Sequence, residues 1–302
     1  MSMIRRIFFI SLLMFSPLLA GDVNSPSYRY NLSICAIFRD DARFLKEWIE
    51  FHRLVGVDHF YLFNNLSEDD YLAVLKPYIK KGIVELIQWP FESIKYSWWN
   101  SIQVKAYAKG LELARKKTKW LAIIDTDEFL TPVSGNNLIE LLKPYEKYGG
   151  VCVNWQNYGT SNIQRIAEDS LMIGQLLMKA PKDSEGNHVV KSIVRPERVV
   201  TCKNPHFVQY TPPYYAVTEN QEKMVGIKSP FVSISQLRLN HYWARDEDFF
   251  YQVKIPREEK FDRDLDYCLK KKEEINQVYD DMMLRFVSEL QKILEIGKKV
   301  KA

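Results

Sequence analysis

In the first half of the chain, continuous apolar runs alternate with stretches of helical period. Residues 31–38, Asn-Leu-Ser-Ile-Cys-Ala-Ile-Phe, are apolar almost throughout, as in a strand buried on both faces. Residues 42–55 then place Phe44, Leu45, Trp48, Ile49, Phe51 and His52 at helical spacing, with Asp40-Asp41 as a cap before them and Gly56 as a stop. The alternation continues through a strand at 59–63, a polar loop at 64–70, a helix at 71–80, a strand at 84–88, a helix at 101–116 and a fourth strand from Trp120. Short connections between such elements predict an α/β fold, a doubly wound and mostly parallel sheet with helices on both faces. Ligands of that architecture sit beyond the carboxyl ends of the strands. From about Val151 the strands shorten, at 151–155, 188–194 and 231–238, and predict a smaller extension packed on the same sheet. Past Arg245 the chain is charged and helical, and residues 259–302 read as a tail that ends in the solvated run Lys298 to Lys301.

Composition narrows this picture. A chain of 302 residues, 46% hydrophobic and 13% aromatic, can bury one large core. Its net charge of +4 comes from 42 basic and 38 acidic residues scattered along the sequence, which argues against a nucleic-acid surface. Cys35, Cys152, Cys202 and Cys268 lie far apart without zinc spacing, and nothing in their placement asks for a disulfide. The N-terminus stands apart: Arg5-Arg6 precede an apolar run at 7–20, shorter than the ~20 residues a span needs. Residues 1–20 are expected to be a signal peptide or a membrane anchor, followed by a linker at 21–30. Ala20-Gly21 suits cleavage and Leu18 does not, so export after cleavage and membrane association through the N-terminus both stand. The basic pair before the run favours a translocated domain.

The candidate chemistry lies at the fourth strand. Residues 120–130, Trp-Leu-Ala-Ile-Ile-Asp-Thr-Asp-Glu-Phe-Leu, carry an apolar strand straight into Asp125 and Asp127. Two residues apart on an extended segment, these carboxylates face one way and Thr126 the other. Such a pair suits Mn2+ or Mg2+, hard ions that take oxygen ligands and leave positions for substrate phosphates.

Five segments in order carry a family resemblance: Ser33-Ile-Cys-Ala-Ile-Phe-Arg-Asp40, Glu47-Trp-Ile-Glu-Phe-His52, Val57-Asp-His-Phe-Tyr-Leu-Phe-Asn-Asn-Leu-Ser67, residues 120–130, and Asn240-His-Tyr-Trp243. Together they resemble glycosyltransferase family 92 and related family-2-like enzymes of the GT-A fold, over roughly residues 31–257. The resemblance implies a transferase domain at 31–258, with a nucleotide-sugar half at 31–150 and an acceptor half at 151–258. It implies a nucleotide-sugar donor, a UDP-sugar first, whose diphosphate is bridged by a divalent cation to Asp125 and Asp127, and a glycan, lipid or protein acceptor. His241 falls where such enzymes often place a third metal ligand, and His206 is second in line or serves the acceptor side. Arg39, Asn64 and Asn65, at the ends of the first two strands, fit the uridine and ribose region, although asparagine also caps loops. Lys254 and Arg257 offer fixed positive charge for the diphosphate. A general base for an acceptor hydroxyl is not singled out by the residues; Glu168 and Asp169 are candidates by analogy. Trp155 and Tyr158 could stack on a sugar, or pack in the core.

Two other readings compete. A D-x-D after an apolar strand also opens haloacid-dehalogenase-type phosphatases, where the first Asp is a nucleophile. Here Phe129 occupies the fifth position and the motif lies on the fourth strand. The other is a non-catalytic carbohydrate-binding envelope protein on a transferase fold.

Overall fold

A computed structural model describes residues 27–92 and 96–296, and for 96–100 the backbone alone. The N-terminal run at 1–20 and the Lys298 to Lys301 end lie outside the described residues. Among the described residues, no helix is long and apolar enough to cross a membrane.

The apolar run at the start forms β1 (Tyr30–Phe38), with α1 (Ala42–Leu54), β2 (His59–Asn64), α2 (Tyr71–Lys80), β3 (Val84–Gln88), α3 (Tyr96–Ala114) and β4 (Thr118–Ile123) following in the predicted alternation. β3, β2, β1 and β4 lie side by side and parallel, with Ser33 opposite His59 and Cys35 opposite both Tyr61 and Ile123. Alternate residues of these strands feed two cores. Leu32, Ile34, Ala36 and Phe38 of β1 pack with Phe44, Trp48 and Ile49 of α1, whereas Cys35 and Ile37 pack with Ala106, Tyr107 and Leu111 of α3. A strand covered on both faces needs apolar side chains at every position, which is why β1 carries no polar alternation. Gly110 of α3 is required by that packing, since a Cβ there would sit 2.2 Å from Cys35 Sγ.

The second half departs from the predicted extension. After β5 (Glu128–Pro132) and the short α4 (Leu138–Leu142), β6 (Gly150–Asn157) and β8 (Val190–Val194) complete the main sheet. β8 inserts antiparallel between β4 and β6. The sheet is therefore mixed, with helices on both faces, and its parallel order holds only on one side. β6 is long enough to serve twice: its first part pairs with β8 and with β11 (Ala216–Val217), which is edged by β12 (Lys223–Met224). Its last part, Trp155 to Asn157, pairs with β13 (Leu237–His241), and β13 runs antiparallel to β5. The expected strand at 231–238 thus begins later and ends on His241. The smaller α5 (Met172–Gln175) and β7 (Met178–Lys179) precede β8, and β9 (Val199–Asn204) and β10 (Phe207–Tyr210) form a hairpin.

The charged segment expected past Arg245 is helical, and it packs on the domain rather than trailing from it. The chain from α6 (Glu247–Phe249) through α7 (Ile255–Glu259) and α8 (Leu265–Glu274) walls the site described below, and β14 (Val278–Tyr279) pairs with β7. α9 (Leu284–Leu294) then lays Phe286, Leu290 and Leu294 into the main core, with the Phe286 ring 5.2 Å from that of Phe51. Its charged residues occupy the other face. All four cysteines are free and buried.

Candidate active site

A crevice of about 1060 Å³ opens beyond the carboxyl ends of β1 and β4. It is lined by Phe38 to Asp41 after β1, Asp125 to Asp127 after β4, Trp155 and Asn157 of β6, and His206, His241, Arg245, Lys254, Arg257 and Lys271.

The acidic motif forms a turn. β4 ends at Ile123, and the Glu128 amide donates to the Asp125 carbonyl at 3.1 Å. The expectation of an extended segment with Thr126 facing away is therefore wrong: Thr126 lines the crevice as well, and its hydroxyl donates to Asp41 Oδ2 at 2.6 Å. The two aspartates consequently live in different surroundings. Asp125 Oδ1 accepts from Gln103 Nε2 at 2.8 Å and from the Tyr107 hydroxyl, and Oδ2 accepts from Lys191 Nζ at 2.7 Å. Burial pushes the Asp125 carboxyl up, but the Lys191 ammonium outweighs this and holds it below the usual range. Asp125 is thus held by the protein on both oxygens.

Asp127 instead faces His241, with Oδ2 3.7 Å from Nε2. Burial raises the Asp127 carboxyl, and His241 in its protonated form, then Lys254 and Arg245, bring it well below the carboxylate range. Burial dominates at His241 and lowers its imidazole despite Asp127. His241 Nδ1 lies 2.9 Å from Asn157 Oδ1, whose amide nitrogen is committed to Asn187 Oδ1 at 2.8 Å, so Nδ1 is the protonated nitrogen. Nε2 then presents a lone pair to an ionised carboxylate. Two electron-pair donors turned toward each other fit a cation between them, since ligands at ~2.1 Å from an ion lie about 3–4 Å apart. The Asn157 contact also has the form of the outer partner that orients a ligating histidine. Among the described residues no three His, Cys, Asp or Glu side chains are grouped to hold a metal. The donor set present is therefore Asp127 with His241, and an open-sided site of this kind leaves positions for phosphate oxygens.

Behind the turn lies a buried network that the sequence reading missed. Glu128 Oε2 accepts from the Asp125 amide at 2.8 Å and Oε1 from Trp155 Nε1 at 2.7 Å. Burial, then the neighbouring aspartates, push the Glu128 carboxyl up to about 8 against the pull of Lys191, 3.7 Å away. Lys191 is 1% exposed and stays charged because Asp125 and Glu128 face it. A signal for it exists in the sequence: Val189-Val-Lys-Ser-Ile-Val194 puts a lone lysine in an apolar strand, and a buried charge needs a partner. Asp41, Arg245 and Lys271 carried no comparable signal.

The remaining candidates divide. Arg39, Lys254 and Arg257 line the crevice, and Arg257 Nη2 donates to the Arg39 carbonyl at 2.8 Å. Asn64 and Asn65 do not line it: Asn64 Nδ2 donates to Gln88 Oε1 at 2.8 Å, and Asn65 Nδ2 ties down the Trp89 and Phe91 carbonyls at 2.8 and 2.7 Å. Glu168 and Asp169 are exposed on the loop before α5, outside the crevice lining, so neither is placed to take a proton there. His206 does line it, with Nδ1 3.0 Å from the Val190 carbonyl and its ring 5.2 Å from Trp155. Burial holds its imidazole down at about 3, so it is neutral. Trp155 borders the crevice with the His241 ring 4.3 Å away, whereas Tyr158 is fully buried and its hydroxyl bonds Asp280 Oδ1 at 3.1 Å. Tyr158 is core.

A layered α/β protein with a charged crevice at the carboxyl edge of its parallel strands belongs to the broad class that binds small ligands there. Sequence comparison makes this specific. The chain belongs to glycosyltransferase family 92, whose profile matches residues 29–284. A family 92 protein of Ricinus communis is 29% identical over 174 residues, 56% of this chain and 29% of its own length. One of Oryza sativa subsp. japonica is 25% identical over 217 residues, 70% of this chain and 33% of its own. The chain thus spans about a third of the length of the curated relatives it matches. Distant similarity extends to solved structures. S. aureus TarS 1-349 is 11% identical, with a TM-score of 0.38 over 90% of this chain and 76% of that one. Mycobacterium tuberculosis glucosyl-3-phosphoglycerate synthase, solved with Mn2+, UDP and glucosyl-3-phosphoglycerate, is 16% identical, with a TM-score of 0.31 over 56% of this chain and 58% of that one.

Proposed function

We propose that this chain is a metal-dependent glycosyltransferase that takes its sugar from a nucleotide-diphosphate donor, a UDP-sugar first, and passes it to a hydroxyl of a glycan, lipid or protein. The observation that carries the reading is the pairing of ionised Asp127 with the lone pair of His241 at 3.7 Å, inside the crevice of a family 92 chain. Mn2+ or Mg2+ held there would stabilise the negative charge that develops on the diphosphate as the sugar leaves. Asp127 and His241 are the donors; Asp125, bound on both oxygens, holds the turn in place. Lys254 and Arg257 supply fixed positive charge in the crevice lining, and Arg257 donates to the Arg39 carbonyl.

His206 is a neutral hydrogen-bond acceptor in the same lining, with Nδ1 engaged by a carbonyl and Nε2 left for an incoming hydroxyl. The phosphatase reading loses ground because both oxygens of its would-be nucleophile are already engaged. Residues 1–20 remain in this reading as a signal or anchor, which fractionation of the full chain with N-terminal sequencing decides.

The test is hydrolysis or transfer from a panel of nucleotide sugars with and without Mn2+. Turnover that requires Mn2+ and vanishes in Asp127→Ala supports the reading. Turnover that survives loss of both Asp125 and Asp127 overturns it. Retained sugar binding in a protein that turns over none of the panel would move the assignment to a carbohydrate-binding protein.

A further inference from the structure

Asp41 stands at the N-cap of α1, where a carboxylate commonly accepts the first amides of the helix, yet its side chain makes no such bond. Both of its oxygens are spent across the crevice instead. Oδ2 accepts the Thr126 hydroxyl and Oδ1 accepts Arg245 Nη1, each at 2.6 Å. The three residues are 4, 5 and 2% exposed. One end of this chain of contacts is therefore the middle residue of the D-T-D turn, and the other lies four residues past His241.

Arg245 is itself unusual. Its φ of +51° is left-handed, a region where a non-glycine residue is strained and persists only when its surroundings hold it. Its guanidinium lies 4.1 Å from the Phe44 ring and 4.5 Å from the Phe249 ring, and among the described residues Nε has no hydrogen-bond partner. The backbone of the same turn reaches the motif by a second route. The Tyr242 amide donates to the Asp127 carbonyl at 2.8 Å, and the Arg245 amide closes on the Tyr242 carbonyl at 3.2 Å. The segment that carries His241 is thus tied to the segment that carries Asp127 on both sides of the pair.

We propose that Asp41, Thr126 and Arg245 are positioning residues that fix the separation of Asp127 and His241, and so set the affinity of that pair for a divalent cation. The inference rests on reading Asp127 and His241 as the cation's donors. It gives a physical account of why a helix cap is left unused, why a hydroxyl occupies the middle of the motif, and why a strained arginine is kept. Without the Thr126 hydroxyl the turn stays covalently in place but is free to tilt, and the two donors no longer present one geometry to the ion. Outer contacts of this kind are commonly worth 10–100-fold in metal affinity.

The experiment is a Mn2+ titration of the full chain, read by the electron-paramagnetic-resonance signal of free Mn2+, on wild type, Thr126→Val, Thr126→Ser and Asp41→Asn, with melting curves of the metal-free proteins beside it. Thr126→Val is nearly isosteric and removes only the donor. The expected result is Mn2+ binding weakened about 10-fold or more in Thr126→Val and Asp41→Asn and restored in Thr126→Ser, with metal-free Thr126→Val still unfolding cooperatively and its midpoint lowered only by the few degrees that one unsatisfied buried acceptor costs. Thr126→Val binding Mn2+ as tightly as wild type overturns the inference and leaves the proposed function standing. So does a Thr126→Ser no better than the valine. A wild-type chain that binds no Mn2+, even with UDP present, overturns both.

Discussion

Lys191→Met takes away the ammonium that lies 2.7 Å from Asp125 Oδ2 and 3.7 Å from Glu128 Oε2, at a position 1% exposed, and replaces it with an apolar chain of similar reach. Removing one partner of a buried pair leaves a carboxylate without a counter-charge, which costs about 3–5 kcal/mol. At about 2–4 °C per kcal/mol for a large domain, the melting midpoint falls by roughly 6–20 °C near pH 8. The size of the fall depends on pH in a definite direction. In the wild type Lys191 holds the Asp125 carboxyl below its usual range and opposes the rise of Glu128. Without it both carboxyls move up, and a carboxyl whose folded pKa exceeds its unfolded value keeps its proton in the native state. Such a group favours folding at low pH, and that contribution is lost as pH rises through the folded value. The deficit is therefore small near pH 5 and largest near pH 8. Scanning calorimetry of the metal-free proteins at the two pH values measures it. A deficit under about 2 °C, or one of equal size at both, would refute the claim that Lys191 is the counter-charge of this site.

Three further outcomes follow from particular side chains. Burial, then repulsion from Lys254, pushes the Lys271 ammonium down to about 8, over the Trp243 ring at 4.0 Å. It is charged below that value and neutral above, so calorimetric UDP affinity falls as pH rises from about 7 to about 9, and Lys271→Arg, which stays charged, flattens the fall. Glu168→Gln and Asp169→Asn change kcat/KM for the best donor by less than about twofold, because both side chains lie outside the crevice; a hundredfold loss in either would restore them as bases. Leu290→Ala in α9 lowers the unfolding free energy in urea by about 2–5 kcal/mol, the cost of a core cavity. No change would contradict the packing of α9 into the core.

The first half of the fold was legible because each element there satisfies its own local rule. β1 is covered on both faces and reads as a continuous apolar run, while α1 shows one apolar stripe. β8 was harder to place, since a five-residue strand carries no mark of the sheet position it will fill or of its direction, and only the long-range pairing with β4 and β6 makes it central. α9 reads as a charged helix, but its attachment to the core depends on Phe286, Leu290 and Leu294 meeting residues far away in sequence. The motif and its order point to Asp125, Asp127 and His241 as one group, but not to the unequal surroundings of the two aspartates. They arise from Lys191, which is 66 residues from Asp125 along the chain and 2.7 Å away in space. Asn64 and Asn65 show the opposite error: their place at a strand end suggested a ligand, and their side chains turn to neighbouring loops instead.

The most direct test of the central claim is the melting temperature of the full chain with UDP alone, Mn2+ alone and both together, in wild type and in Asp127→Asn. A ligand that binds only the folded state raises the midpoint in proportion to its occupancy. The account predicts a rise with UDP and Mn2+ together that exceeds the sum of the separate effects in wild type, and no such excess in Asp127→Asn. An equal excess in Asp127→Asn, or no response in wild type to any nucleotide diphosphate with Mn2+ or Mg2+, would contradict it.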